Sequence, residues 1–168
     1  MYPWHRFSAY NLRSSDPFVH ALIPLNIFRE KMPQIIRNWH ENYNQMSCIS
    51  RYLIKSISES NTFDHPDFLI VAQALDGYFK RFINKKNDKN IKKYHDQINL
   101  LIKKFEDVEA IKECKLNAKT ITASRHLYSH LMNEDEENVK GAVDGSELYW
   151  LTQKCVILLT CCILDCIG

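Results

Sequence analysis

The chain has 168 residues, the length of one domain, with 45% hydrophobic and 25% charged residues and a formal net charge of +2. A chain of this length buries about 70% of its extended surface on folding and needs no disulfide or metal staple. The near-neutral balance gives no bulk signal of a nucleic-acid binder, and the longest apolar stretch, Val156 to Leu164, is far short of the ~20 residues of a membrane span.

Residues 1–24 are aromatic and broken by Pro3, Pro17 and Pro24. They read as an N-terminal extension, or the remnant of a preceding region, that docks on the helices or on something else. Trp4, His5 and Arg6 interrupt any opening apolar run, so no signal peptide is read and a cytoplasmic setting is expected. From Ile27 to Met46 the spacing of Ile27, Met32, Ile35, Ile36, Trp39 and Tyr43 predicts a helix capped by Asn26. Pro33 marks either a kink or its true first turn. Cys48 to Ser58 reads as a second short helix or a continuation, and Glu59 to His65 as a loop.

Asp64-His65-Pro66-Asp67 is a helix start, with acids near the positive end of the dipole and Pro in the first turn. The helix is expected to run to about Asn84, burying Phe68, Val71, Ala72, Leu75, Tyr78, Phe79 and Phe82. Gly77 inside it implies close backbone approach by a neighbour. After a polar connector, Ile91 to Val108 is predicted helical on Ile91, Tyr94, Ile98, Leu101, Ile102 and Phe105, with Ile111 to Lys115 as a joint. Leu116 to Leu131 is a further helix, Asn133 to Asp144 a loop, and Gly145-Ser146-Glu147 starts a last helix burying Leu148, Leu151, Cys155, Leu158, Leu159 and Cys162. Almost nothing reads as strand. The expected fold is all-α, an antiparallel bundle of four to five long helices over residues 25–168.

Four of the six cysteines lie in the last helix, and none forms a Cys-x-x-Cys pair. Buried reduced thiols explain them best. Lysines and arginines cluster from Lys80 to Lys104, among them Lys80, Arg81 and Lys85, which read evenly as a solvated face or a phosphate-facing patch. The acids Glu134 to Glu137 read as solvated surface.

Chemistry concentrates in Ser124 to Asn133, Ser-Arg-His-Leu-Tyr-Ser-His-Leu-Met-Asn. The Arg125 guanidinium can hold a phosphate through paired hydrogen bonds, and the His130 imidazole can exchange a proton near neutral pH. On spacing alone, an Arg and a His five apart are more often a surface cation and a helix-end residue. Five helical positions turn through ~500°, so one straight helix points the two about 140° apart. Either the helix loosens near Ser129 or a second copy completes the site. His126 and His130 share a face, but no third or fourth zinc ligand is visible, and no cofactor is expected.

An Arg, a polar residue and then a His, late in a helical domain, resembles the signature of the HEPN superfamily. Phe68 to Arg81, containing Gln73-Ala74-Leu75-Asp76, is similar to the Gln-Ala-Leu-Glu helix of ApeA-like HEPN domains. Glu147 to Gly168, closing on Leu164-Asp165-Cys166-Ile167-Gly168, resembles the last helix of that branch. Where the branch continues Tyr-His-Arg, this chain has Tyr78-Phe79-Lys80-Arg81, and His126 stands where Asn is frequent.

The resemblance implies metal-independent RNA cleavage by the substrate's 2′-OH, leaving a 2′,3′-cyclic phosphate or 3′-phosphate and a 5′-OH, in a homodimer with a composite site. Arg125 and His130 would be catalytic. Asp76 would be an accessory acid, or else an exposed or Arg-paired carboxylate. His126 would orient phosphate, move a proton or pack, and Tyr128 would donate a hydrogen bond or pack. Lys80, Arg81 and Lys85 would bind RNA. An N-terminal β-rich region of a longer protein, a role in bacterial anti-phage defence and no membrane partner are also implied. Two other readings stay open: a catalytically silent helical dimerisation or RNA-binding module, and a regulatory helical domain whose Arg–His spacing is coincidence.

Overall fold

A computed structural model describes residues 25–58, 65–84, 91–133 and 136–168. The expectations for residues 1–24 and for Lys85 lie outside them. The described residues form six α-helices and no strand: α1 (Leu25–Ser58), α2 (His65–Tyr78), α3 (Tyr94–Lys104), α4 (Glu109–Cys114), α5 (Ala118–His130) and α6 (Gly145–Ile167). The fold is an all-α bundle.

The first helix is one run of 34 residues with Pro33 inside it. Of the two readings of Cys48 to Ser58, a second helix or a continuation, the continuation holds, and Asn26 lies within the helix rather than at its cap. Among the described residues α1 meets the bundle through buried Met46, Ile49 and Ser50, with Leu53 packed beside them. Ile36 is 60% and Tyr43 48% exposed, so half of the expected apolar face looks outward. Asn38 and Asn42 donate to the carbonyls of Ile167 and Cys166 at 3.1 and 3.3 Å. These side chains satisfy acceptors that the C-terminal turn of α6 leaves free.

In α2, Phe68, Val71, Ala72, Leu75 and Tyr78 are buried as the pattern predicts. The helix does not run regularly to Asn84. It swells into a π-helical turn at Phe79–Ile83, where the Asn84 N–H reaches back to the Phe79 carbonyl. A Cβ on Gly77 would meet Ile49 Cγ1 at 3.8 Å, an ordinary contact. Close backbone approach is therefore not why glycine stands there.

The helix expected over Ile91 to Val108 is shorter, from Tyr94 to Lys104. Val108 is extended and caps α4, so the expected joint at Ile111 to Lys115 is mostly a helix that buries Ile111 and Cys114. At the start of α5 the Asn117 side chain accepts from the N–H groups of Lys119 and Thr120. The last helix is capped by Asp144 and buries the six residues expected, Leu148, Leu151, Cys155, Leu158, Leu159 and Cys162. As a whole, α6 is long and apolar enough by length and composition to cross a membrane, which the shorter run from Val156 to Leu164 does not suggest. In the bundle it is the core helix, packed on α1, α2 and α4. All six cysteines are free; Cys155 and Cys162 are buried, and burial pushes the Cys155 thiol up to about 12.

Candidate functional site

Three helices converge on Arg125. It projects from α5 and is flanked by Ser124, which is fully buried, and by Tyr128 one turn on. Ser124 Oγ accepts from the Val143 N–H at 3.1 Å, and the Tyr128 hydroxyl donates to the Val143 carbonyl at 2.9 Å. Tyr128 also stacks on His65, with ring centroids 4.5 Å apart, and His65 Nε2 lies 2.9 Å from Asp144 Oδ1. These contacts tie α5 to the start of α2 and to the cap of α6. They fix the rotation of α5 about its axis, and so the side on which Arg125 emerges. Tyr128 thus has a packing and hydrogen-bonding place of its own, turned to the loop before α6.

The Arg125 guanidinium carbon lies over the Tyr94 ring, 4.3 Å from its centroid. Tyr94 is buried, and its hydroxyl donates to the Ala72 carbonyl of α2 at 3.1 Å. Burial holds that phenol well above its usual range, so it stays a neutral donor. Near the guanidinium also stands Asp76, 4% exposed. Its Oδ2 accepts from Lys80 Nζ at 2.8 Å, whereas Arg125 Nη2 approaches the same oxygen only to 4.0 Å. One buried carboxylate thus faces two cations. The closer one satisfies it, and Arg125, a quarter exposed, keeps donors for another anion.

The imidazoles lie elsewhere on α5. His126 and His130 stand edge to face, their centroids 5.8 Å apart. His130 is exposed and His126 partly so. The His126 pKa is held below 6.5, first by burial and then by His130 and Arg125. Through Ser129 the helix is unbroken. It ends at Leu131, whose backbone is left-handed (φ 50°), with the Met132 N–H closing back on the Leu127 carbonyl. The expected alternative of a helix loosened near Ser129 is therefore removed. The separation of about 140° between positions 125 and 130 holds along α5. Leu131, expected among the apolar residues of this helix, is 89% exposed.

Lys80 joins Asp76 and Arg125. Arg81 does not: it donates to the Gln45 carbonyl of α1 at 2.6 Å. Among the described residues no group of three or more His, Cys, Asp or Glu gathers as a metal site. A cleft of about 310 Å3 between α5 and α6, lined by Asn117, Thr120, Trp150 and Lys154, includes neither Arg125 nor His130. The residue that sequence reasoning missed is Tyr94. It reads as one more member of the apolar stripe of α3, and the only local sign is a hydroxyl among aliphatic neighbours that burial obliges to find an acceptor.

The profile of the Apea-like HEPN family matches residues 69–168, a span that holds Asp76, Tyr94, Arg125 and His130. No curated protein and no solved structure matches the chain.

Proposed function

The chain belongs to the Apea-like HEPN family, and on that footing we propose that it is a metal-independent endoribonuclease domain acting as a homodimer. Membership supports a nuclease or RNA-related role at the coarser level. The finer reading rests on one observation. Arg125 is fixed over Tyr94, while Lys80 takes the neighbouring carboxylate at 2.8 Å against 4.0 Å for Arg125. A guanidinium so held presents donors to a scissile phosphate and stabilises the charge that grows on phosphorus-bound oxygen in the transition state.

In the proposed reaction an imidazole takes the proton of the substrate 2′-OH, whose oxygen attacks phosphorus. The 5′-oxygen leaves and receives a proton, giving a 2′,3′-cyclic phosphate and a 5′-OH. His130, exposed at the end of α5, is the foremost proton carrier, with His126 beside it. Because Arg125 and His130 diverge on one straight helix, the site joins the guanidinium of one copy to the imidazole of another. We assign the setting to the cytoplasm and to defence against phage, in company with an N-terminal β-rich region, as the family resemblance implies.

The test is cleavage of single-stranded RNA in EDTA. Wild type should yield cyclic-phosphate ends and leave the all-deoxy strand intact. Arg125→Ala and His130→Ala should cut at least a hundredfold more slowly while folding and dimerising as wild type, losses typical of removing a transition-state donor and a general acid or base. The divergence of the two side chains also favours a second reading, a silent RNA-binding or dimerisation module. In that case no RNA is cut and both variants bind it like wild type.

A further inference from the structure

An arginine that must hold a transient anion faces a conflict. Whatever fixes its long side chain tends to use the same N–H donors that the anion needs. A carboxylate fixes a guanidinium through its edge and consumes donors. An aromatic ring fixes it through its face and consumes none. Both kinds of partner are present here, and their distances differ in the useful direction. The ring of Tyr94 is in contact, 4.3 Å from the guanidinium carbon, while Asp76 is 4.0 Å from Nη2, beyond good hydrogen-bond length.

We propose that Tyr94 is the positioning residue for Arg125: a buried platform on α3 that sets the plane of the guanidinium through its ring face and leaves the N–H edges for phosphate. The inference rests on the nuclease reading for its consequence, though not for its geometry. The platform is itself located at both ends. The Tyr94 hydroxyl is anchored on the Ala72 carbonyl, and residues 94, 98 and 101 of α3 are buried in the core. Isoleucine and leucine fill the other two positions of that stripe, and a side chain of either kind at position 94 would serve burial. The aromatic ring adds an attractive surface for a cation where the Arg125 guanidinium lies. Lys80 completes the arrangement by holding Asp76, so the carboxylate does not pull Arg125 off the ring.

Three replacements separate this role from packing. Tyr94→Phe keeps the ring and loses only the hydroxyl bond. Tyr94→Leu keeps apolar bulk and loses the ring. A series of mono-, di- and trifluorinated phenylalanines at position 94 keeps shape while draining negative charge from the ring face. Two readouts are needed: the NMR signal of the Arg125 Nε–H group, and kcat and KM for cleavage of a single-stranded RNA oligonucleotide.

In wild type and Tyr94→Phe the Nε–H proton should be shifted upfield by the ring. In Tyr94→Leu the shift should vanish and kcat fall about tenfold, a difference of about 1.4 kcal/mol in barrier, well beyond the loss in a core variant such as Ile98→Ala whose melting temperature falls at least as far. Across the fluorinated series kcat should fall stepwise at constant melting temperature. An unshifted Nε–H proton in wild type, or a fluorinated series with constant kcat, overturns the proposal. Losses in Tyr94→Leu that simply follow its melting temperature do the same. If wild type cuts no RNA, the nuclease reading fails separately. The NMR comparison then decides the positioning role, with affinity for the same oligonucleotide in place of kcat.

Discussion

His126 meets His130 edge to face across one turn of α5, with 5.8 Å between ring centroids. Two imidazoles so close cannot both carry a proton without repulsion, and His126 is the more buried. Burial, then His130, then Arg125 lower its pKa. Replacing His130 by Gln removes the second cause, so the His126 pKa should rise in an NMR titration of its ring protons. The sign for stability follows. Above pH 6.5 neither folded nor unfolded chain protonates this residue. As pH falls below 6.5 the unfolded chain binds a proton first, and stability drops until the folded pKa is passed. A chemical denaturation series from pH 7.5 to 5 should show that decline, and His126→Asn should flatten part of it.

Lys80 decides how Arg125 is shared. With Lys80→Ala, the buried Asp76 loses its 2.8 Å partner, and among the described residues Arg125 is the cation left near it. The guanidinium should swing from 4.0 Å into contact and spend donors on the carboxylate. Stability should fall by about 1 kcal/mol, less than the usual value for a charged hydrogen bond because solvent screens Lys80, which is 60% exposed. Affinity for an RNA oligonucleotide should weaken several-fold and recover partly in Lys80→Ala/Asp76→Asn. Arg81→Ala, which loses only a bond to the Gln45 carbonyl, is the control and should leave affinity within twofold.

The register of helices was legible because their apolar residues repeat at three and four. Phe68, Val71, Leu75 and Tyr78, like Leu148, Leu151, Leu158 and Leu159, are buried where the pattern puts them. Periodicity does not say how many neighbours a helix has. α1 carries apolar residues on two adjoining strips, but among the described residues α2 and α6 cover it only in part, and Ile36 and Tyr43 stay outside. Nothing between Phe105 and Glu109 forbids a helix, yet the chain turns there so that Phe105 and Ile111 can both enter the core. The π-turn at Phe79–Ile83 likewise has no local cause, since each of its residues tolerates a regular helix. Arg125 and His130 were visible as side chains of the right chemistry. The partners of Arg125 were not, because Asp76 and Tyr94 come from 49 and 31 residues earlier in the chain and only packing brings them in.

Gly77 gives a test of packing next to the site. It lies in the last turn of α2, where glycine costs roughly 1 kcal/mol against alanine. The space for a methyl group exists, since the nearest side-chain atom would stand 3.8 Å away. Gly77→Ala should therefore stabilise the domain by about 0.5–1 kcal/mol, raising the melting temperature by roughly 2–4 °C per kcal/mol. A drop in melting temperature would mean that α1 and α2 are closer than this geometry gives.

Mixing two inactive variants tests the composite site most directly. On the unbroken α5 helix, Arg125 and His130 point about 140° apart, and the Tyr94 ring lies against Arg125 on its side. Suppose each site takes the guanidinium from one copy and the imidazole from the other. An Arg125→Ala/His130→Ala mixed dimer then contains one site with both groups intact and one with neither. After unfolding and refolding together at equal amounts, half of the dimers are mixed, and each carries half of the normal sites. RNA cleavage should return to about a quarter of the wild-type rate, against a hundredfold or greater loss for either variant alone. If instead each site draws both groups from a single chain, every subunit in the mixture lacks one of them and the rate stays at the level of the separate variants. The outcome is read from initial rates on one oligonucleotide, with the fraction of mixed dimer measured by mass spectrometry of differently tagged chains.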